Sequence, residues 1–129
     1  MADPQAPWHA HIYFTDQSRA PALALRNSFV ALCGAEGPVL FTGTMTQGPA
    51  GPHPIPQYEV HFREGELAHV RAMIVTSGLT ALVHPLTLDD LADHTTLGQW
   101  IGDPVALDLT TLDPPGINQG VPRFGLSDF

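Results

Sequence analysis

Two segments of the chain alternate apolar and polar side chains with the two-residue period of a β-strand. In the first segment, WHAHIYF at positions 8–14, one face is apolar. The opposite face carries His9, His11 and Tyr13. In the second segment, QYEVHFR at positions 57–63, the polar face carries Gln57, Glu59 and His61. The pattern predicts two strands, each with one face in the core and one face that bears imidazole, carboxyl or other polar groups.

Helical spacing follows each of these strands. After Asp16 or Ser18, either of which suits an N-cap, apolar residues at positions 25, 29 and 32 predict a first helix that ends near Gly34. Apolar residues at positions 67, 70 and 74 predict a second helix, which Gly78 closes. Two further predicted strands, at 39–45 and at 79–84, complete the order β-α-β-β-α-β.

The C-terminal part is predicted to add a helix and an irregular tail. Thr87 with Asp90 resembles a capping box and opens a helix from about Leu88 to Ile101, and residues 105–109 are predicted to form one more short strand. The order β-α-β-β-α-β is typical of a ferredoxin-like α+β fold, an antiparallel sheet with two helices on one face. We therefore predict a single domain over residues 1–129, with a core at about 8–109 and a tail at 110–129.

Composition narrows the classes of partner. The 129 residues include five arginines, no lysine and 13 acidic residues, so the net charge is −8. Nucleic acid and anionic membrane surfaces are not expected as partners, because both require clustered cations. The single cysteine forms no internal disulfide, and no apolar run approaches the roughly 20 residues of a membrane helix. These features predict a cytoplasmic protein.

The predicted topology brings most of the seven histidines to one face of the sheet. In a ferredoxin-like sheet the first strand lies between the third and the fourth, so the polar faces of all three strands meet on the side that the helices leave open. The groups that gather there, with one from the Pro/Gly-rich loop at 47–57, are His9, His11, His53, Glu59, His61 and His84. Nitrogen and oxygen ligands without thiolate favour Fe(II), Zn, Mn or Cu, so we predict a metal site on this face.

Several residues allow two interpretations at this point. The histidines of the sheet face are also compatible with a solvated surface or a dimer interface. His94, on the predicted third helix, is either a half-buried helix residue or a proton donor beside the metal. Arg123 is either a surface charge or a clamp for a substrate carboxylate. The tail from Asp113 onward can fold across the open sheet face or wrap a partner subunit.

Three ordered blocks, WHAHIYF, GPHPIPQYEVHF and LVHPLTLDDLADHT with QWIG shortly after, resemble the signature blocks of the DOPA 4,5-dioxygenase-like family. The resemblance spans positions 8 to about 109. It implies a ferredoxin-like fold, commonly dimeric, and extradiol cleavage of a catechol, such as 3,4-dihydroxyphenylalanine, by non-haem Fe(II) and O₂. The positions that match recurring family residues are His9, His11, His53, Glu59, His84, Asp93 and His94.

Extradiol chemistry defines the roles that these residues would fill. The metal must offer open positions to both catecholate oxygens and to O₂, and a histidine beyond the ligands must move protons. The predicted metal ligands are His11, His53, His84 and Glu59, for Fe(II), with Zn as another metal able to occupy the site. The predicted acid/base residues are His9 and His94. The predicted substrate-binding residues are Tyr13, His61 and Arg123.

The leading hypothesis is therefore ring cleavage of a small aromatic substrate with O₂ by a homodimer. Its main alternative is a binding module that holds a metal or an aromatic ligand on the same face without turnover. A zinc-dependent hydrolase is a third hypothesis, for which indifference to O₂ would be the sign. In the fourth, the histidines form only a pH-sensitive dimer interface, which would dissociate in mild acid without any dependence on metal.

Overall fold

The computed structural model describes residues 3–127. Its helices and strands are β1 (Pro7–Tyr13), α1 (Arg19–Ala31), β2 (Phe41–Thr42), β3 (Gln57–Arg63), α2 (Leu67–Ser77), β4 (Ala81–Pro85), α3 (Asp90–His94) and β5 (Gln99–Ile101). Short 3₁₀ turns lie at Glu64–Glu66, Leu109–Thr111 and Val121–Arg123. The strands form one antiparallel sheet in the order β2-β3-β1-β4-β5.

The apolar faces of β1, β3 and β4 form the core together with α1 and α2. Ala10 at the centre of β1 lies opposite Val60 of β3 on one side and Val83 of β4 on the other, and none of the three is exposed to solvent. Alternate residues of each strand share a face, so this register turns every polar residue of β1 to the opposite side of the sheet. The predicted α+β ferredoxin-like fold is confirmed.

The two long helices follow their apolar spacing. Leu25 and Phe29 of α1 and Val70 and Ile74 of α2 are buried against the sheet. Helix α2 ends at Gly78, whose φ of 76° lies in the left-handed region that glycine adopts without strain, as the sequence predicts. Within residues 3–127, no helix combines the length and the hydropathy that a membrane span requires.

The helix predicted from about Leu88 to Ile101 is wrong in its second half. Helix α3 covers only Asp90–His94, and the chain then pairs with β4 as β5, with Trp100 opposite Leu82. Pairing satisfies the backbone groups on the outer edge of β4, which a continued helix would leave open. The N-cap is Asp89, whose side chain accepts from the Ala92 amide, so the predicted capping box at Thr87 is also wrong.

Two predicted strands differ from the structure as well. Of the strand predicted at 39–45, only Phe41–Thr42 forms a regular ladder with β3, although the amides of Leu40 and Gly43 also donate to β3 carbonyls. Residues 105–109 are not a strand. Their backbone is tied instead to the Pro/Gly-rich loop, because the Asp108 amide donates to the Pro52 carbonyl oxygen at 2.8 Å.

The tail folds over the sheet face that α1 and α2 leave open. The Gly125 amide donates to Nδ1 of His61 at 2.8 Å, and the Phe124 ring stacks on the same imidazole with centroids 5.7 Å apart. His61 is consequently fully buried. Of the two arrangements that the sequence left open for the tail, the chain uses it to cover its own sheet.

Candidate metal centre

Four parts of the fold bring histidines together on the covered sheet face. Strand β1 supplies His9 and His11, and β4 supplies His84 directly opposite His9. The Pro/Gly-rich loop adds His53, and the last residue of α3 adds His94. All five imidazoles are buried. The sequence predicted that the polar residues of these strands lie together on one side of the sheet, and this is confirmed. His94 of α3 joins them there.

The hydrogen bonds of His11 and His84 fix which ring nitrogen carries the proton. Nδ1 of His11 lies 3.1 Å from the side-chain oxygen of Gln57, and Nδ1 of His84 lies 2.7 Å from the Pro85 carbonyl oxygen. Both oxygens can only accept, so each Nδ1 is the donor and each Nε2 carries a lone pair. The two Nε2 atoms are 2.8 Å apart. Facing lone pairs repel each other unless a cation binds both.

His94 has the same arrangement. Its Nδ1 donates to the Asp90 carbonyl oxygen at 2.8 Å, one turn earlier in α3, which leaves Nε2 with a lone pair. One nitrogen each from His11, His53 and His94 lie within 4.8 Å of one another, and the same holds for His9, His11 and His84. His53 is held from outside, because its Nδ1 lies 2.6 Å from the Tyr13 hydroxyl.

Burial keeps four of these imidazoles neutral, those of His9, His11, His53 and His84. It lowers the pKa of His9, and it lowers the pKa of His11 and His84 further below the usual range. Burial, together with the imidazoles of His94 and His84, lowers the pKa of His53 to about 3. Neutral imidazole is the form that binds metal ions, so the cluster holds its ligand atoms ready at neutral pH.

Glu59 forms the ionised edge of the cluster. One carboxylate oxygen, Oε1, accepts from Nδ1 of His9 at 3.0 Å and from Nε2 of His61 at 2.7 Å. Burial by itself would raise the pKa of Glu59, but these hydrogen bonds outweigh it and hold the pKa well below its usual value. Since the Nδ1–H of His9 donates a hydrogen bond to Glu59, Nε2 of His9 has the lone pair, and this buried atom has no hydrogen-bond partner among the described residues.

A pocket of about 320 Å³ opens above this cluster. Its floor contains His9, His11, Glu59, His84 and His94. Residues 111–113 and 118–120 of the tail form a wall, together with Arg123. Three of the predicted site residues, His53, Tyr13 and His61, do not line it. His53 and Tyr13 lie behind the floor, and His61 is closed off by Glu59 and the tail.

Sequence reasoning missed two polar residues that hold the site together. Gln57 accepts from His11, and the strand alternation that put it on the polar face of β3 was the available signal. Asn118 donates to the Thr87 carbonyl oxygen at 2.7 Å and to the Asp93 carboxylate at 3.1 Å. No pattern in the sequence indicates Asn118, because it lies in an irregular segment whose path only the tertiary structure defines.

The donor set fits a divalent metal ion. At a metal–nitrogen distance of about 2.1 Å, two ligands at right angles lie about 3 Å apart, which is close to the separation of the His11 and His84 nitrogens. In His11, His84 and His94, Nδ1 donates a hydrogen bond to a carbonyl oxygen and leaves Nε2 for a metal ion, as is usual for metal-bound histidine. The fold and the site therefore define a ferredoxin-like domain with a buried histidine cluster at the floor of a pocket.

The comparisons with known proteins agree with this class. Residues 8–111 match the sequence profile of the Dopa 4,5-dioxygenase family, and the chain belongs to this family. It is similar to DOPA 4,5-dioxygenase of Amanita muscaria, with 38% identity over 113 residues, which are 81% of this chain and 49% of that protein. It is also similar to an uncharacterised 21.2 kDa protein of Botryotinia fuckeliana, with 32% identity over 110 residues, 78% of this chain and 60% of that protein.

The chain thus spans about half the length of these curated relatives. Its fold is similar to the crystal structure of a protein from Nostoc punctiforme described as a candidate dioxygenase. That comparison gives a TM-score of 0.74 and 32% identity, and it covers 86% of this chain and 96% of the other. The family resemblance seen in the sequence blocks is confirmed.

Proposed function

We propose that this protein is a metal-dependent dioxygenase that opens the ring of a small catechol, such as 3,4-dihydroxyphenylalanine, by extradiol cleavage with Fe(II) and O₂. Both atoms of O₂ would enter the product, a ring-opened semialdehyde acid. The observation that carries the proposal is the convergence of two imidazole lone pairs, on Nε2 of His11 and His84, at the floor of a pocket. Membership of the Dopa 4,5-dioxygenase family supports the reaction class.

The proposed ligands are His11, His84 and His53. The first two point their lone pairs at the same place, and His53 lies behind the pocket floor, where it can hold a metal ion but not reach a substrate. Glu59 is the carboxylate that the sequence predicts as a ligand. Its Oε1 already accepts two N–H groups, so a bond to metal would have to come from Oε2.

The proposed acid/base residues are His9 and His94, because both line the pocket and so can reach a bound substrate. A bound Fe(II) would supply positions for both catechol oxygens and for O₂. The Nδ1–H of His9 donates to Glu59, and the Nδ1–H of His94 donates to the Asp90 carbonyl oxygen, so each residue presents Nε2 to accept a proton from a catechol hydroxyl. A carboxylate behind an imidazole stabilises the protonated ring that results.

The pocket volume lies at the small end of the range of ligand pockets, which begins at about 300 Å³, and it therefore suits a small aromatic molecule. Arg123 lies in the wall, where we propose that it pairs with a carboxylate of the substrate. The other two residues predicted to bind substrate would act indirectly. Tyr13 would orient His53, and His61 would hold Glu59 beneath the tail.

An anaerobic titration of the metal-stripped protein with Fe(II), with Zn in competition, tests the metal site first. We expect one tight iron per chain and at least about a tenfold loss of affinity in His11→Ala and His84→Ala. His69→Ala is the matched control, since this histidine lies exposed on α2. Loose binding that His11→Ala leaves unchanged would exclude the metal site. Iron retained by Glu59→Gln would assign that carboxylate to orienting His9, and iron lost would assign it to the metal.

The reaction is tested with the iron-loaded protein and a panel of catechols. We expect one O₂ consumed for each catechol lost and a yellow semialdehyde product. Tight binding of iron and catechol without any O₂ uptake would leave the sequestering module as the function. Turnover of an ester or amide that is indifferent to O₂ would point to the hydrolase instead.

A further inference from the structure

We propose that Asn118 is a positioning residue, which holds the tail wall of the pocket at a fixed place over the histidine cluster. The expected effect on KM rests on the proposed function, whereas the contact of Asn118 with Thr87 and Asp93 is a property of the fold. Asn118 itself belongs to the pocket wall, and the role assigned to it lies in its contacts with Thr87 and Asp93 rather than with the substrate. The partner of Asn118 in this role is Asp93, the residue before His94.

The amide of Asn118 joins two parts of the chain. Its Nδ2 donates to the Thr87 carbonyl oxygen at 2.7 Å and to Oδ2 of Asp93 at 3.1 Å. The Asp93 carboxylate is fully buried and also accepts from the Thr87 amide at 2.8 Å and the Thr87 hydroxyl at 2.6 Å. Buried carboxylates that are fully hydrogen-bonded resist rearrangement, so Asp93 offers Asn118 a rigid anchor.

A second pair of contacts holds the same segment against α3. The Asp113 amide donates to Oδ2 of Asp90 at 3.0 Å, and the Asp90 amide donates to the Ile117 carbonyl oxygen at 3.1 Å. The carbonyl of Asp90 is the group that orients His94. Residues 113–118 are therefore docked on the helix that carries one of the proposed acid/base histidines.

The docked segment leads directly into the pocket wall. The Oδ1 atom of Asn118 accepts from the Gly120 amide at 2.9 Å, and Gly120, Gln119 and Arg123 all line the pocket. If Asn118 no longer held this segment, the wall would move relative to the floor. The proposed ligands on β1 and β4 would stay in place, because the sheet ladder holds them independently. Loss of Asn118 should therefore weaken substrate binding and spare metal binding.

The test compares Asn118→Asp with Asn27→Asp in the iron-loaded protein. The first change sets two carboxylates against each other at a partly buried contact, whereas Asn27, the other asparagine of the chain, is exposed on α1. We expect KM for the catechol to rise about tenfold in Asn118→Asp, the equivalent of one lost charge-assisted hydrogen bond. We expect kcat and the iron content to stay within about twofold, and Asn27→Asp to match the parent protein.

A second variant guards against a folding defect. Asn118→Ala removes the amide and places no charge beside Asp93, so the contacts of Asp93 with Thr87 can stay as they are. We expect KM for the catechol to rise in this variant too, while its Tm and iron content stay close to those of the parent protein. A KM unchanged in both variants, or a fall in kcat and iron content in Asn118→Ala, would overturn the proposal.

Hydrogen exchange separates this proposal from the proposed function. The amides of Asp90 and Asp113 should exchange at least about tenfold faster in metal-free Asn118→Asp than in the metal-free parent, because their acceptors belong to the docked contact. If the parent protein consumes no O₂ with any catechol but this exchange accelerates, the dioxygenase assignment fails and the role of Asn118 in holding the wall stands. Unchanged exchange at both amides would refute the role of Asn118.

Discussion

At the scale of single residues, the hydrogen bond that each imidazole makes through Nδ1 determines which nitrogen can bind a metal ion. His11, His84 and His94 each donate a hydrogen bond from Nδ1–H to a carbonyl oxygen, which leaves the lone pair of each ring on Nε2. His53 is held by a phenol instead, since its Nδ1 lies 2.6 Å from the Tyr13 hydroxyl. Outer partners of this kind fix both the tautomer and the direction of the ring, so they influence metal affinity without touching the metal.

Tyr13→Phe should therefore weaken metal binding. Removal of the hydroxyl frees the His53 ring to turn, and we expect the affinity for Fe(II) or Zn to fall about tenfold or more, as for other outer-shell partners. The matched control is Tyr58→Phe, because the Tyr58 hydroxyl donates to the Ala22 carbonyl on the helix-covered face, away from the cluster. Competition titration with a chromophoric chelator measures both variants. Equal affinities in the two would show that Tyr13 does not orient a ligand.

At the scale of elements, β1 organises the site because it lies between β3 and β4. Its two histidines are thereby placed beside Glu59 on one side and His84 on the other. Helix α3 ends at His94, which therefore lies over the histidines of β1 and β4, and the chain then continues into β5. The turn between α3 and β5 is tight, and Gly98 is the residue that permits it. A Cβ at this position would lie 2.9 Å from the Leu82 side chain and 3.3 Å from the Asp93 carbonyl oxygen.

Gly98→Ala should consequently push β5 away from β4 and disturb α3. We expect a loss of about 1–3 kcal/mol in the free energy of unfolding, the usual cost of overpacking at a site that cannot relax. Urea denaturation measures it, with Gly48→Ala as the control, because a Cβ at Gly48 would meet no atom within 4 Å. A loss no larger than that of the control would mean that the turn can open without cost.

At the scale of the whole molecule, the cluster exists only in the folded chain. Its histidines come from two strands, a loop and a short helix that are separated by up to 85 positions, from His9 to His94. The tail then covers the cluster and supplies part of the pocket wall. The tail therefore occupies the sheet face for which the sequence also allowed a dimer interface. The homodimer stays a prediction, which light scattering on the purified protein would test.

Metal should stabilise the fold, since an ion that binds only the assembled ligands shifts the unfolding equilibrium. With free metal at about one hundred times its Kd, the stabilisation is about 2.7 kcal/mol, which corresponds to a rise in Tm of about 10 °C for a chain of this size. Thermal unfolding with Fe(II) or Zn, after removal of metal with a chelator, measures it. A Tm that does not respond in the parent protein, or that responds equally in His11→Ala, would contradict binding at the cluster.

The sequence predicted most of the sheet because strand periodicity is a local property. WHAHIYF and QYEVHFR alternate strictly, so their faces and their pairing followed from the ferredoxin-like order alone, and with them the meeting of His9, His11, His84 and Glu59. The residues left His94 open between a half-buried helix position and a proton donor, and the family resemblance favoured the second, although no periodicity assigns His94 to the sheet face. Helical spacing gave a wrong prediction after residue 94, because residues 99–101 pair with the free edge of β4 as β5.

The amino-acid sequence by itself thus determined most of the sheet, the two long helices against it and the identity of most groups in the cluster, since these depend on neighbours a few residues apart. Only the tertiary structure decided the tautomers of the histidines, the path of the tail and the place of Asn118. These depend on hydrogen bonds such as those of His61 with Gly125 and of Asn118 with Asp93, which join segments 64 and 25 positions apart. Contacts at such separations leave no periodic trace in a sequence, because each is a single pair whose geometry the rest of the fold imposes.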